Sequence, residues 1–145
     1  GLAEDWEVSE DGLTTTFSLE EDVVFHDGST FEAADVIYSF ERLQGDSSAR
    51  SADYASLTGF SALDDYTVEF STEALDVNLL AKFAYPWAAI VPEDAGEELR
   101  NEPVGTGAYR LENWVPQQEL SLVRNEDYWG ETANIETVLR CLRGT

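Results

Sequence analysis

The chain of 145 residues contains few of the residue types that usually carry chemistry. Its one cysteine, Cys141, excludes an intramolecular disulfide and a cysteine-based metal site within one chain. Its one histidine gives little support to a nucleophilic triad. No apolar run approaches the ~20 residues of a membrane-spanning helix. Residues 1–6 lack the basic and apolar regions of a signal peptide, which fits a mature exported protein, a cytoplasmic protein or a piece of a longer one.

Positive charge is also scarce, because 8 Lys and Arg residues stand against 30 Asp and Glu residues and leave a net charge of -22. This balance argues against a nucleic-acid partner, whose phosphates need cations. A hydrophobic content of 43% argues against disorder. The acids are dispersed along the chain and Lys82 is the only lysine, a pattern typical of proteins that work in concentrated salt. We therefore predict a halophilic origin, in an archaeon, and weak cation binding at the surface.

The pattern of apolar residues predicts one folded unit over residues 1–145, with an α+β arrangement and much antiparallel pairing. Strand-like runs on both sides of polar turns indicate three β-hairpins. The hairpins pair residues 6–8 with 14–19, 60–63 with 66–71, and 109–114 with 120–124, and two further short strands are predicted at 23–25 and 137–142.

Helical spacing of apolar residues predicts a helix over residues 33–43. Glu32 is its expected, though unusual, N-cap, and Gly45 is expected to end it. A second helix is predicted over residues 74–83 and a helical turn over residues 93–99.

Gly105 and Gly107 come just before the strand predicted at 109–114. Glycine permits backbone angles that a β-carbon would forbid, so the pair is interpreted as a tight turn into the strand. A glycine loop that cradles an anion with its backbone N–H groups is the alternative.

His26 beside Asp27 has the residue types of a general base with its orienting carboxylate, but sequence neighbours seldom point the same way. We assign His26 a structural role, as a turn residue bonding nearby backbone. Paired carboxylates carry little information among 30 acids. No catalytic residue, metal site or cofactor is predicted.

Aromatic residues are placed at the ends of predicted elements, where a ring can line a cleft or pack in a core. These residues are Tyr85, Trp87, Trp114, Tyr128 and Trp129.

Five motifs follow one another in a recognisable order. They are residues 2–13 (LAEDWEVSEDGL), 25–28 (FHDG), 34–40 (ADVIYSF), 103–109 (PVGTGAY) and 124–130 (RNEDYWG). In this order they resemble the extracellular solute-binding proteins of family 5, which include dipeptide-, oligopeptide- and nickel-binding components of ABC importers. The chain departs from the family at Ala108, where proline is usual, and at Glu32, where threonine is common at the N-cap.

The resemblance implies a type II periplasmic-binding-protein fold, in which two lobes close on a solute and deliver it to a permease. Family members are much longer, so the chain is expected to be a fragment, a subdomain of the first lobe. The initial strand region, the second lobe and the returning segments would lie outside it. The acidic group that holds a peptide's amino terminus belongs to the other lobe. The cleft-side positions that the resemblance implies here are Tyr85, Trp87, Ala88, Gly105, Thr106 and Gly107.

The resemblance further implies a small peptide or other small solute as ligand, ABC permease subunits as partners, and no enzymatic activity. The protein is expected outside the cell, held at the membrane by an anchor beyond this stretch. The chain alone is expected to self-associate through a truncated sheet edge. The alternative is a carbohydrate-binding module or glycosidase domain that uses exposed aromatics and carboxylates.

Overall fold

A computed structural model describes residues 1–141, and Leu142 of the last predicted strand lies outside them. Chain contacts divide the protein into two compact units. Unit 1 comprises residues 1–21 and 32–93, and unit 2 comprises residues 22–31 and the chain from Asp94 onward. That residues 1–145 form a single subdomain, in which both units unfold together, stays a prediction.

Unit 1 is built on a four-stranded antiparallel sheet with the order β1-β2-β4-β3. The first two predicted hairpins supply its strands, and the pairing of β2 with β4 joins the hairpins into one sheet. The strands are β1 (Ala3–Val8), β2 (Thr14–Leu19), β3 (Leu57–Asp64) and β4 (Thr67–Thr72).

Helix α1 (Ala33–Gln44) confirms the first helix predicted from sequence. Its start is fixed by Asp35, whose carboxylate accepts the backbone N–H of Glu32 at 2.8 Å and that of Glu93 at 2.9 Å. A carboxylate in the first turn also opposes the positive end of the helix dipole. Gly45 follows the helix as expected.

Helix α2 (Leu79–Phe83) is shorter than the predicted 74–83, so that prediction was wrong at its start. The Asp76 carboxylate accepts the backbone N–H of Asn78 at 3.1 Å, which holds this stretch as a turn. Leu75, counted as one of the apolar positions of the predicted helix, is 66% exposed.

The core of unit 1 is centred on Phe40 of α1. Its ring lies 4.8 Å from that of Phe70 on β4 and 5.1 Å from that of Phe83 on α2, both in edge-on geometry that favours aromatic pairs. Short 3-10 helices at Ser51–Tyr54 and Pro86–Ala88 complete the unit.

Unit 2 contains a three-stranded antiparallel sheet with the order β5-β6-β7. Its strands are β5 (Tyr109–Val115), β6 (Glu119–Arg124) and β7 (Thr137–Cys141), and a 3-10 helix spans Glu97–Arg100. The strand predicted at 23–25 was wrong, because only a single bridge joins Val24 to Thr30. Among residues 1–141, no helix is both long and apolar enough to cross a membrane.

Candidate functional site

The segment after α2 presents two stacked rings on unit 1. Pro86 opens its 3-10 helix, where the fixed φ of proline suits a helical start, and the N–H of Ala88 donates to the carbonyl of Tyr85 at 2.9 Å. The rings of Tyr85 and Trp87 stack with centroids 4.6 Å apart and 26° between planes. They remain 48% and 39% exposed, and the Arg50 guanidinium carbon lies 4.3 Å from the Trp87 ring centre. Two predicted contact residues thus form one exposed aromatic surface.

Beneath these rings, a polar cluster holds the end of α2. The buried Tyr54 hydroxyl donates to the carbonyl of Lys82 at 2.7 Å, and burial raises the pKa of Tyr54, which keeps the hydroxyl a donor. The Lys82 ammonium lies 2.7 Å from the Asp76 carboxylate, which also accepts the Ser56 hydroxyl at 2.8 Å. Hydrogen bonds from Lys82 and Ser56 lower the pKa of Asp76. The cluster therefore holds the C-terminal end of α2 in place, and the Tyr85–Trp87 segment begins just after that end.

Unit 1 also holds an apolar cavity of about 510 Å³. Its lining includes Phe17, Val68 and Phe70 of the sheet and Tyr85 and Ala88 of the segment after α2. Trp87 does not line it. Only Trp6 and Tyr85 bring polar side-chain atoms to the wall, so the cavity suits an apolar occupant.

In unit 2 the glycine turn is held by donors from distant side chains. The His26 ring nitrogen Nε2 is 2.8 Å from the carbonyl of Gly107, and the backbone N–H of His26 donates to the carbonyl of Gly105 at 2.9 Å. The indole N–H of Trp129 donates to the carbonyl of Thr106 at 3.2 Å, and the side-chain amide of Asn125 donates to that of Gly107 at 3.3 Å. The carbonyls of the turn are thus engaged by protein groups.

The structural role assigned to His26 agrees with this geometry, but the backbone it bonds lies 81 positions away. The expectation of nearby backbone was wrong. Asp27 is held within its own turn, accepting the Ser29 backbone N–H at 2.9 Å and the Ser29 hydroxyl at 2.7 Å. Burial acts to raise the pKa of Asp27, but the hydrogen bonds from Ser29 outweigh it and leave that pKa lowered. Asp27 therefore serves the turn and does not orient His26.

The expectation that Gly105 and Gly107 are needed for unusual backbone angles was wrong. The positive φ angles of glycine in the described chain are at Gly12, Gly28 and Gly96, so neither glycine of this turn has a backbone angle that a β-carbon forbids. A β-carbon at Gly105 would lie 3.9 Å from the His26 ring, an ordinary contact. Nothing within residues 1–141 demands glycine here.

The described structure brings the six predicted contact residues together as two separate sets. Tyr85, Trp87 and Ala88 belong to unit 1, and Gly105, Thr106 and Gly107 belong to unit 2. Sequence reasoning missed Arg50 and Trp129 as partners of these sets, because both pairings join residues far apart in the chain. Within residues 1–141, no cluster of three or more His, Cys, Asp or Glu side chains could hold a metal ion.

Both units are built on antiparallel sheets, and unit 1 presents the stacked rings of Tyr85 and Trp87 at its surface. Residues 1–139 match the model for bacterial extracellular solute-binding proteins, family 5, middle region. The chain belongs to this family. The resemblance stated from its five motifs is confirmed.

Individual relatives agree with the family match. The dipeptide-binding protein of Escherichia coli (strain K12) is 32% identical, over 96% of this chain and 31% of that protein. The periplasmic binding protein DppA from Helicobacter pylori, solved with the peptide STSA, is 30% identical with a TM-score of 0.84, over 96% of this chain and 33% of that one. The mannopinic-acid complex of MoaA from A. tumefaciens R10 is 29% identical with a TM-score of 0.91, over 96% of this chain and 30% of that one.

The chain thus spans about a third of the length of these relatives. The predicted α+β, periplasmic-binding-protein-like fold is confirmed by the structural matches. The family consists of extracellular transport proteins that bind solutes, and these relatives give no support to a carbohydrate-binding module or glycosidase.

Proposed function

We propose that this chain is part of the first lobe of a two-lobed solute-binding protein that captures short peptides for an ABC importer. The observation that carries the proposal is the match of residues 1–139 to the family, together with a peptide-bound relative of TM-score 0.84. Because the chain spans about a third of its relatives, the cleft that buries the solute requires protein beyond this stretch.

The proposed solute contacts in unit 1 are Tyr85, Trp87 and Ala88. The stacked rings offer rigid apolar area that loses little conformational entropy on binding, because aromatic side chains have few rotatable bonds. Support comes from their exposure, 48% for Tyr85 and 39% for Trp87.

The proposed contacts in unit 2 are Gly105, Thr106 and Gly107. The carbonyls of this turn are taken by protein donors, whereas no acceptor within residues 1–141 pairs with its three backbone N–H groups. These N–H groups would donate to peptide carbonyls or a carboxylate. The absence of a β-carbon at both glycines would let the solute approach closely.

The rest of the proposal concerns the whole protein. The intact protein works outside the cell, carries an anchor beyond this stretch, delivers its solute to permease subunits and catalyses no reaction. The chain alone self-associates through β7, an edge strand exposed along all of Thr137–Cys141.

Calorimetry on the longer protein encoded by the same reading frame tests the proposal. The probes are the dipeptide Met-Leu, the tetrapeptide Ser-Thr-Ser-Ala and cellohexaose. We expect a peptide to bind the longer protein and not the 145-residue chain. Trp87→Ala should weaken binding about tenfold, equivalent to about 1.4 kcal/mol.

Trp114→Ala is the matched control, because Trp114 is 44% exposed and belongs to neither proposed set. It should change peptide affinity less than twofold. Binding of cellohexaose by the 145-residue chain, or failure of the longer protein to bind either peptide, would overturn the proposal. Equal losses in the two tryptophan variants would remove Trp87 from the site.

A further inference from the structure

The four-stranded sheet of unit 1 has one polar and one apolar face. Trp6, Phe17 and Val68 are register partners on β1, β2 and β4, so their side chains share a face. Glu7, Thr16 and Glu69 form the next row, on the opposite face. A sheet patterned in this way is expected to bury its apolar face and solvate the other.

The apolar face is covered over β3, β4 and most of β2, where Thr15 and Leu19 are 4% and 5% exposed, but it is open on β1. Helix α1 packs against β3 and β4, where Phe40 meets Phe60 and Phe70. Val68 and Phe70 of β4 are accordingly 0% and 2% exposed. On β1 the same face is open, with Trp6 51% exposed and Val8 50% exposed.

The dimensions explain why one helix leaves this gap. An α-helix with its side chains is about 10 Å across, and neighbouring strands lie about 4.8 Å apart, so one helix covers about two strands. Helix α2 has only five residues, and its Phe83 ring lies 5.4 Å from that of Phe17 on β2. The apolar cavity of about 510 Å³ adjoins the open strand, since Trp6 of β1, Phe17 of β2 and Phe83 of α2 are among its lining residues.

The chemistry of the wall selects the kind of occupant. A peptide solute would bring charged termini and amides that find few partners among side chains with polar atoms only on Trp6 and Tyr85. An extended strand laid over the face would leave its own backbone groups unpaired. A helix satisfies its backbone internally and needs only an apolar face.

We infer that a second helix packs over β1 and β2, supplied by a part of the same polypeptide outside residues 1–145. The inference rests on the proposal that the chain is part of a longer solute-binding protein. It is supported by the match to the middle region of the family and by the share of its relatives, about a third, that the chain spans. Leu80 and Phe83 would flank this helix on the side of α2.

Photocrosslinking in the longer protein tests the inference, with Trp6→p-benzoylphenylalanine as the probe and Leu63→p-benzoylphenylalanine as the control. Leu63 is 57% exposed and does not line the cavity. Irradiation at position 6 should join it, within one molecule, to a segment outside residues 1–145 that has helical spacing of apolar residues. Position 63 should give less than a fifth of that product.

Hydroxyl-radical footprinting of the unsubstituted longer protein gives a second measurement. Trp6 should be oxidised at least fivefold more slowly than in the 145-residue chain, with Leu63 unchanged. Protection that requires added Met-Leu, or that grows with protein concentration, would assign the cavity to solute or to a second copy and overturn the inference. Unprotected Trp6 with intact peptide binding rejects the helix alone, whereas protected Trp6 without peptide binding rejects the proposed function alone.

Discussion

The carboxylate of Asp76 offers the sharpest test of how the Tyr85–Trp87 segment is held. It accepts hydrogen bonds from Lys82 at 2.7 Å, Ser56 at 2.8 Å and the N–H of Asn78 at 3.1 Å. The side chains of Lys82 and Asp76 are 25% and 14% exposed. Asp76→Asn keeps the shape, removes the charge and replaces one of the two accepting oxygens by an amide NH2 group, which can only donate.

The expected loss follows from these contacts. A hydrogen bond to a charged group contributes about 1.5–3 kcal/mol and a neutral one about 1 kcal/mol, so we expect Asp76→Asn to cost about 2 kcal/mol. In a chain of this size that lowers the melting temperature by about 6 °C. Asp53→Asn makes the same chemical change in a pair 3.5 Å from Arg50 with both side chains about half exposed. It should cost under about 0.5 kcal/mol.

The pH dependence gives the prediction its sign. Hydrogen bonds from Lys82 and Ser56 lower the pKa of Asp76 in the folded state. Its contribution is therefore present above the unfolded value of about 3.9 and is lost as the pH falls through the lowered value. Urea unfolding at pH 7 and near pH 2.5, in molar KCl, measures the difference between Asp76→Asn and the parent chain. A difference under about 0.5 kcal/mol at pH 7, or one that persists undiminished in acid, would refute the reasoning.

Two further predictions concern the glycines and the charge. Gly105→Ala should leave the free energy of unfolding within about 0.5 kcal/mol, because its φ is ordinary and the β-carbon has room. Gly12→Ala should cost more than about 1 kcal/mol in the same urea titration, because Gly12 has φ +72° and the added atom would lie 2.7 Å from Leu75; equal effects would contradict this. The net charge of -22 predicts a melting temperature at least about 10 °C higher in 2 M than in 0.1 M KCl, since the Debye length falls from about 10 Å to below 3 Å. An unchanged melting temperature would remove the case for a halophilic surface.

Local patterns predicted the hairpins and α1 because the signals that define them are local. Apolar alternation and the Asp11–Gly12 turn determine β1 and β2, and Asp35 marks the start of α1. The extent of α2 was not predictable, because Asp76 is tied to Lys82 and Ser56, and Ser56 lies 20 positions away. The pairing of strand β2 with strand β4 is also non-local, so the sequence pattern could indicate the hairpins but not the order of strands in the sheet.

The candidate site was predicted through resemblance, and the bonds that support it came from the structure. His26 is joined to Gly107 across 81 positions, and Trp129 to Thr106 across 23. No spacing rule reaches such distances. Tyr85 and Trp87 are separated by a single residue, yet the stacking of their rings depends on the 3-10 helix that Pro86 begins.

Two features of the chain have a cost that nothing in residues 1–141 offsets. Gly105 and Gly107 give the unfolded chain extra entropy, about 0.5–1 kcal/mol each relative to alanine, without needing a positive φ or lacking room for a β-carbon. Trp6 and Val8 expose large apolar surface on an otherwise covered sheet face. A chain that spans about a third of its relatives provides a common cause, since the missing contacts can come from the solute and from the remaining protein. The two causes can be separated by experiment. Gly105→Ala should change the affinity for solute without changing the protection of Trp6 from oxidation. The packed helix should protect Trp6 whether or not solute is present.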